Sequence, residues 1–253
     1  MLTSLDGLFW LSLTLVGLWF LQRAFHREIQ AIFLIATRRA DITVIAFSLI
    51  FLPGVFLHEL SHLLMAKLLG VRTGRFSLIP EPLPDGRLQL GYVEAAHSDI
   101  LRDSLVGAAP LITGTLFVAF AAINRLHLAV MWDTLRNGQW SLFFWGLQIL
   151  PTIPDFWLWI YLTFAVSSTM LPSESDRHAW LPLGLVIAGL LALALAAGIG
   201  PWMLANLAPA LNQFLRGAAL ILLVSIIVHA LLILPLLFIH RLLTKITRLD
   251  VAN

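Results

Sequence analysis

The chain has 253 residues, of which 59% are hydrophobic and only 12% are charged. Soluble domains carry about one quarter charged residues, so the composition excludes a soluble globular protein, a disordered chain and a coiled coil. The formal net charge of +2 does not indicate a nucleic-acid partner, and the absence of cysteine excludes disulfides, zinc–thiolate sites and thiol nucleophiles. The sequence therefore predicts a polytopic membrane protein, because about 20 apolar residues span a bilayer.

The first predicted elements are an apolar span over 5–22 and a short interfacial helix over 23–41. The apolar run has neither a basic region before it nor a small-residue cleavage site after it, so we expect a retained membrane segment rather than a removed signal peptide. The next span covers 42–70. A kink or short break is predicted where Pro53 and Gly54 interrupt it.

Residues 71–103 differ from the rest of the chain because turn-forming and charged residues are concentrated there. The pieces RFSLI and RLQLGYV alternate polar and apolar residues, which predicts short strands around a turn. Later apolar stretches predict spans over 104–124, 179–199 and 208–240, and a broken helix or tight hairpin over 139–171. We therefore expect an all-α polytopic membrane protein with about six transmembrane helices and a small β-strand or re-entrant element.

The sequence His58-Glu59-Leu60-Ser61-His62 forms the pattern HExxH inside an apolar span. Histidines at i and i+4 project from one face of a helix and can share one metal ion, and the glutamate beside them can take a proton from water at that metal. For this composition, chance gives roughly 0.005 occurrences of the pattern. The alternative is a polar patch that lines a helix–helix contact. Ionisable groups at membrane depth are costly, which favours a functional site.

Zinc is the expected metal because it accepts imidazole and carboxylate, and catalytic sites commonly combine three protein ligands with water. The third ligand must be His, Asp or Glu. Asp155 lies in the break of the apolar stretch 139–171, where a lone carboxylate is costly without a partner. Asp176 lies among polar residues before a span, where a helix cap would explain it. We expect the polar loop's ionisable residues to be solvated: Glu94, His97, Asp99 and Asp103.

Taken together, these features resemble the site-2 protease family of intramembrane zinc metalloproteases. The resemblance rests on HELSH followed by strand-like segments, on GAAPLITG at 107–114, which is similar to a Gly- and Pro-containing helix of the family, and on QILPTIPD, which ends at Asp155. The last segment is similar to the Asn-x-x-Pro turn that precedes the family's final aspartate ligand. Gln148 stands where Asn is usual, and Phe156 stands where Gly is usual.

The resemblance covers residues 42–160 and implies one integral membrane metalloprotease domain over 1–253. Its core would be 42–160, with peripheral helices over 1–41 and 161–253. No PDZ insert is recognisable, so gating of substrates by such a domain is not expected.

The resemblance also implies a zinc endopeptidase that hydrolyses peptide bonds of membrane-embedded substrates. His58, His62 and Asp155 would bind Zn²⁺, and Glu59 would be the general base. Asp176 is the weaker rival of Asp155 for the third ligand position. The expected partners are a transmembrane protein substrate and the lipid bilayer, with no nucleic acid. The expected location is multi-pass, in the inner or plasma membrane.

Three other functions fit the sequence less well: a membrane scaffold, a transporter and a different zinc protease. A non-catalytic membrane scaffold of the same fold would bind transmembrane helices, but zinc binding alone does not need Glu59. A transporter is disfavoured because paired broken helices and repeated halves are not apparent. A CAAX-type zinc protease would need a later helical glutamate, and Glu174 lies among turn residues. His229 is expected to bond a neighbouring helix.

Overall fold

The computed structural model describes residues 6–82 and 88–249, and the chain within those ranges is mostly helical. The α-helices are α1 (Gly7–Thr37), α2 (Ala40–Leu68), α3 (Ile100–Phe120), α4 (Leu128–Arg136), α5 (Trp140–Ile149), α6 (Phe156–Ser167), α7 (Trp180–Ala196), α8 (Gly200–Asn206) and α9 (Ala208–Thr247). The strands are β1 (Thr73–Ser77), β2 (Glu81–Pro82), β3 (Leu88–Gln89) and β4 (Tyr92–Ala95).

Within the described part of the chain, four helices are long and apolar enough to cross a membrane: α1, α2, α9, and α3 with the π-helical turn that extends it to Arg125. The pairs α5–α6 and α7–α8 are bent by 91° and 111°, and the number of candidate spans rises to 6 if each pair is one span. The prediction of an all-α polytopic membrane protein with a small strand element is confirmed at this level. The interruption predicted within 139–171, as a broken helix or a tight hairpin, is present as the 91° bend between α5 and α6.

Helix α1 is one continuous helix, so the prediction of a separate interfacial helix over 23–41 is wrong. No proline or glycine interrupts residues 18–37, and its polar residues find partners on other helices. Gln22 donates to the carbonyl of Ser167, and Glu28 pairs with His240. These contacts let a partly polar sequence stay helical against its neighbours.

Helices α1 and α9 lie side by side and run parallel. Near their amino ends, the Gly7 backbone N–H donates to Asn212 Oδ1 at 2.6 Å, and further along both helices Glu28 meets His240. A Cβ at Gly7 would stand 2.5 Å from the Asn212 carbonyl oxygen, so only glycine permits this approach. The pair flanks the inner helices, with α1 against α2 and α9 against α3 and α6.

Helices α2 and α6 also run parallel and in contact. Tyr161 donates to the Ile50 carbonyl at 2.9 Å. One turn further along both helices, a Cβ at Gly54 would lie 2.1 Å from the Ala165 carbonyl oxygen. Of the two alternatives predicted at Pro53-Gly54, the short break is absent because α2 continues through Pro53, and the kink stays a prediction. Gly54 instead brings α6 close to the helix that carries HExxH.

A cluster of phenylalanines fixes α1, α2 and α6 to one another. The ring centroids of Phe25 and Phe164 are 4.6 Å apart, and those of Phe51 and Phe164 are 5.5 Å apart. All three side chains are buried. Because truncating a buried phenylalanine costs about 3–5 kcal/mol, this cluster provides a stiff base for the next turns of α2, where HExxH lies.

The predicted strands are present as two short antiparallel pairs. In the first, β1 pairs with β4, with Phe76 opposite Val93, and in the second β2 pairs with β3. Across the first pair, Glu94 accepts from the Arg75 backbone N–H at 3.0 Å and from its Nε at 2.9 Å. These bonds to Arg75 lower the pKa of Glu94.

Candidate metal centre

The two histidines of HExxH meet Asp176, which lies between α6 and α7. The Nε2 atoms of His58 and His62 are 3.2 Å apart. Asp176 places Oδ1 3.4 Å from His62 Nε2 and Oδ2 3.8 Å from His58 Nε2. The side chains of His58, His62 and Asp176 are 13%, 9% and 17% exposed, so the cluster is buried but not sealed.

Backbone carbonyls determine which ring nitrogen of each histidine carries the hydrogen. His58 Nδ1 lies 2.6 Å from the Thr169 carbonyl oxygen, and His62 Nδ1 lies 2.8 Å from the Val106 carbonyl oxygen. A carbonyl only accepts, so both Nδ1 atoms must donate, and each neutral ring then presents a lone pair at Nε2. Two lone pairs and a carboxylate therefore converge, an arrangement that a shared cation would stabilise.

The dimensions of this cluster fit zinc. Tetrahedral Zn²⁺ with bonds of about 2.0–2.1 Å holds its ligand atoms about 3.3 Å apart. The two Nε2 atoms are 3.2 Å apart and Asp176 Oδ1 is 3.4 Å from His62 Nε2, which is close to that spacing, and the other carboxylate oxygen, Oδ2, is 3.8 Å from His58 Nε2. Metal-binding histidines also typically donate their second N–H to a carbonyl. The donor set of His58, His62 and Asp176 thus suits a zinc site with three protein ligands.

The two accepting carbonyls are available for reasons that can be read from the sequence. Thr169 lies beyond the end of α6 at Ser167, where carbonyls lack a partner within the helix. Val106 lies four residues before Pro110 on α3, and proline has no N–H to occupy that carbonyl. The proline of GAAPLITG therefore leaves the Val106 carbonyl free to orient His62.

Helix α3 and a turn hold Asp176 in place. A Cβ at Gly107 would stand 1.9 Å from the Asp176 carbonyl oxygen, so the glycine lets this backbone lie directly on α3. Ser104 Oγ donates to the Ala179 carbonyl at 3.2 Å. Asp176 Oδ2 accepts from the Ser173 backbone N–H at 2.7 Å and from its Oγ at 2.6 Å. These bonds orient the carboxylate so that Oδ1 faces His62.

Glu59 lies next to His58 on α2 and is buried, with 8% of the residue exposed. The end of the sheet covers it, because a Cβ at Gly91 would be 3.0 Å from Glu59 Cγ and 3.0 Å from the Ser77 carbonyl oxygen. Glu59 is not a member of the converging group formed by the two histidines and Asp176. Its place beside that group suits a general base rather than a ligand.

Asp155, the predicted third ligand, does not join the cluster, and the aspartate that lies with His58 and His62 is its rival, Asp176. Asp155 directly precedes α6 with a left-handed φ of 61°. The twelve residues of α6 extend about 18 Å, and His58 contacts Thr169 beyond the opposite end of that helix. Among the described residues, Asp155 belongs to no converging group of His, Asp or Glu side chains.

The cap expected for Asp176 is not observed either. Helix α7 begins at Trp180 with Ala179 in the cap position, so Asp176 is not an N-cap of that helix. The expectation for His229 is confirmed: its Nε2 lies 2.9 Å from Ser168 Oγ, which ties α9 to the end of α6.

Comparison of the chain with protein-family models, with curated proteins and with solved structures finds no match. The likeness to the site-2 protease family therefore rests on the quoted motifs.

Proposed function

We propose that this chain is an intramembrane zinc endopeptidase of the inner or plasma membrane, with His58, His62 and Asp176 as zinc ligands and Glu59 as general base. One observation carries the proposal. Two imidazole lone pairs and a carboxylate lie within 3.2–3.8 Å of one another, and both Nδ1 hydrogens are already donated to carbonyls. A bound cation resolves the repulsion between these acceptors.

The chemistry follows from the neighbouring residues. When bound, zinc supplies a Lewis acid that polarises a substrate carbonyl and lowers the pKa of water to about 7. Glu59 accepts the proton of the attacking water as the oxygen adds to the peptide carbon. The same carboxyl then gives that proton to the departing amine as the C–N bond breaks. The Thr169 and Val106 carbonyls keep both imidazoles in the ligating tautomer.

The substrate class follows from the position of the site on α2. This helix is apolar enough to span a membrane, so a peptide bond within or next to the bilayer is the expected target. A helical substrate hides its carbonyls and must be unwound before attack. The β1–β4 pair has Gly91 at its end, against Glu59. Its outer edge can hold an unwound peptide in extended form by strand addition.

The experiment is cleavage by the purified chain in proteoliposomes with a library of single-span fusion proteins, with products identified by mass spectrometry. Glu59→Gln should keep wild-type zinc content and lose at least about a hundredfold in cleavage rate, the usual size of an acid–base contribution. Asp133→Asn on exposed α4 is the carboxylate-to-amide control and should cleave normally.

Two results contradict the proposal. Cleavage by Glu59→Gln at the wild-type rate would remove Glu59 from the mechanism. Zinc-loaded wild-type chain that binds but never cuts library members would instead identify the scaffold of the same fold.

A further inference from the structure

A second group of converging side chains lies next to the zinc site. His97 follows β4, Asp103 lies in the first turn of α3, and His178 lies two residues beyond Asp176. Asp103 Oδ2 is 3.4 Å from His178 Nε2 and 3.7 Å from His97 Nδ1. The two imidazole centroids are 5.4 Å apart. Three separate segments of the chain therefore bring potential metal ligands to one point.

Bonds to the backbone orient two of these side chains toward that point. His178 Nδ1 lies 2.7 Å from the Ser175 carbonyl oxygen, so Nδ1 donates there, and Nε2 is the ring atom that faces Asp103 Oδ2. Asp103 Oδ1 accepts from the Ser98 backbone N–H at 3.0 Å, which leaves Oδ2 as the oxygen that faces both histidines. Nε2 of His178 and Oδ2 of Asp103 thus face each other at 3.4 Å. Metal ligands typically have such supporting contacts to the backbone.

The expectation that these loop residues are merely solvated does not describe Asp103. Its side chain is only 13% exposed, whereas those of His97 and His178 are 88% and 46% exposed. A carboxylate that is largely withdrawn from water and placed between two imidazoles is a ligand set for zinc-like cations. Because both histidines are exposed, a cation held here would remain accessible to the surrounding solution.

We propose that His97, Asp103 and His178 bind a second divalent cation of the zinc class. This ion ties the segment that carries Asp176 to the beginning of α3. The same segment already lies on α3 at Gly107, and Ser104 Oγ bonds the Ala179 carbonyl. By joining His178 to Asp103, the second ion holds the segment that carries Asp176 against the beginning of α3. It therefore restrains the position of Asp176.

The test uses the full-length chain in detergent, stripped of metal and then dialysed against zinc chloride, with metal counted by elemental analysis. Wild type should bind two zinc ions per chain and His97→Asn/His178→Asn only one. His58→Ala/His62→Ala should also retain one, held at the second site whether or not the chain is a protease. His127→Asn is the matched control, because His127 has a left-handed φ of 50° that asparagine tolerates, and it should leave both ions bound.

The stabilising effect of the second ion can be measured separately in the His58→Ala/His62→Ala variant, which lacks the first site. Zinc chloride should raise its thermal unfolding temperature, because a ligand that binds only the folded state stabilises it. Adding His178→Asn should abolish that rise. Two zinc ions in His97→Asn/His178→Asn would overturn the proposal, as would a single ion in wild type that only the His58→Ala/His62→Ala change removes. Either result would mean that Asp103 and His178 form an ordinary ion pair.

Discussion

Gly107 on α3 lies so close to Asp176 that a Cβ would stand 1.9 Å from the aspartate's carbonyl oxygen. Ordinary contact between such atoms needs more than 3 Å, so any side chain at position 107 must push the backbone of Asp176 away from α3. Because the carboxylate completes the cluster with His58 and His62, this displacement acts directly on the candidate metal site. The glycine is thus a structural requirement for the third ligand.

Gly107→Ala should weaken zinc binding at least tenfold, since even the supporting contacts of a metal ligand change affinity by about 10–100-fold. Overpacking should also lower the free energy of unfolding by about 1–3 kcal/mol. Gly189→Ala on α7 is the control, because nothing lies within 4 Å of a Cβ there. Zinc competition with a chelator and thermal unfolding measure the two effects. Wild-type zinc affinity in Gly107→Ala would show that the position of Asp176 does not matter.

The choice between the two aspartates has a direct test. Asp176→Asn preserves an oxygen for the Ser173 turn but removes the charged ligand, so zinc content and cleavage should fall together. Asp155→Gly removes the other carboxylate while keeping the left-handed φ of 61° accessible, and it should retain zinc. Both are measured on folded protein by elemental analysis. Zinc loss in Asp155→Gly together with zinc retention in Asp176→Asn would reverse the assignment.

The fold was largely predictable because apolar stretches long enough to span a membrane can be recognised from composition and length alone. The strands around 71–103 follow from the alternation of polar and apolar residues and from the turn residues between them. The end of the first span was less predictable. Glu28 lies in a stretch that is typical of an interfacial segment and Gln22 ends the predicted apolar span, but their partners lie on other helices, at His240 and Ser167. Such long-range partners leave no local pattern in the sequence.

The site was predictable only in part, for a similar reason. The helical period alone predicts that His58 and His62 share one face of α2, with Glu59 beside them. The third ligand depends on how a turn after α6 packs on α3, and local polarity misled the choice, because Asp176 resembles a solvated cap. The sequence of α3 does contain a signal of this packing. Pro110 stands four residues after Val106, which reveals an unoccupied carbonyl, and Gly107 beside it indicates a close approach by another segment.

Pro110 allows a prediction that separates helix stability from site geometry. Pro110→Ala supplies an N–H that can bond the Val106 carbonyl, in competition with His62 Nδ1, which now bonds it at 2.8 Å. We expect α3 to become a more regular helix while zinc affinity falls by about 10-fold or more, as for other losses of supporting contacts. Pro235→Ala makes the same change inside α9 and should leave zinc affinity unchanged. Undiminished zinc affinity in Pro110→Ala would mean that the His62 bond to Val106 is dispensable.

Ser173 should control how well Asp176 binds metal without being a ligand itself. Its backbone N–H and Oγ both donate to Asp176 Oδ2, at 2.7 and 2.6 Å. Ser173→Ala keeps the first bond and removes the second, so the carboxylate gains rotational freedom. We expect a loss of about 10-fold in zinc affinity and a parallel loss of cleavage that excess zinc restores.

Ser175→Ala is the matched control for Ser173→Ala. Ser175 Oγ contacts Ser173 Oγ at 2.8 Å, but the bonds from Ser173 to Asp176 survive its removal. Chelator competition and cleavage at rising zinc concentration distinguish the two variants. If excess zinc failed to restore cleavage in Ser173→Ala, the serine would act on the folded segment as a whole rather than through the orientation of Asp176.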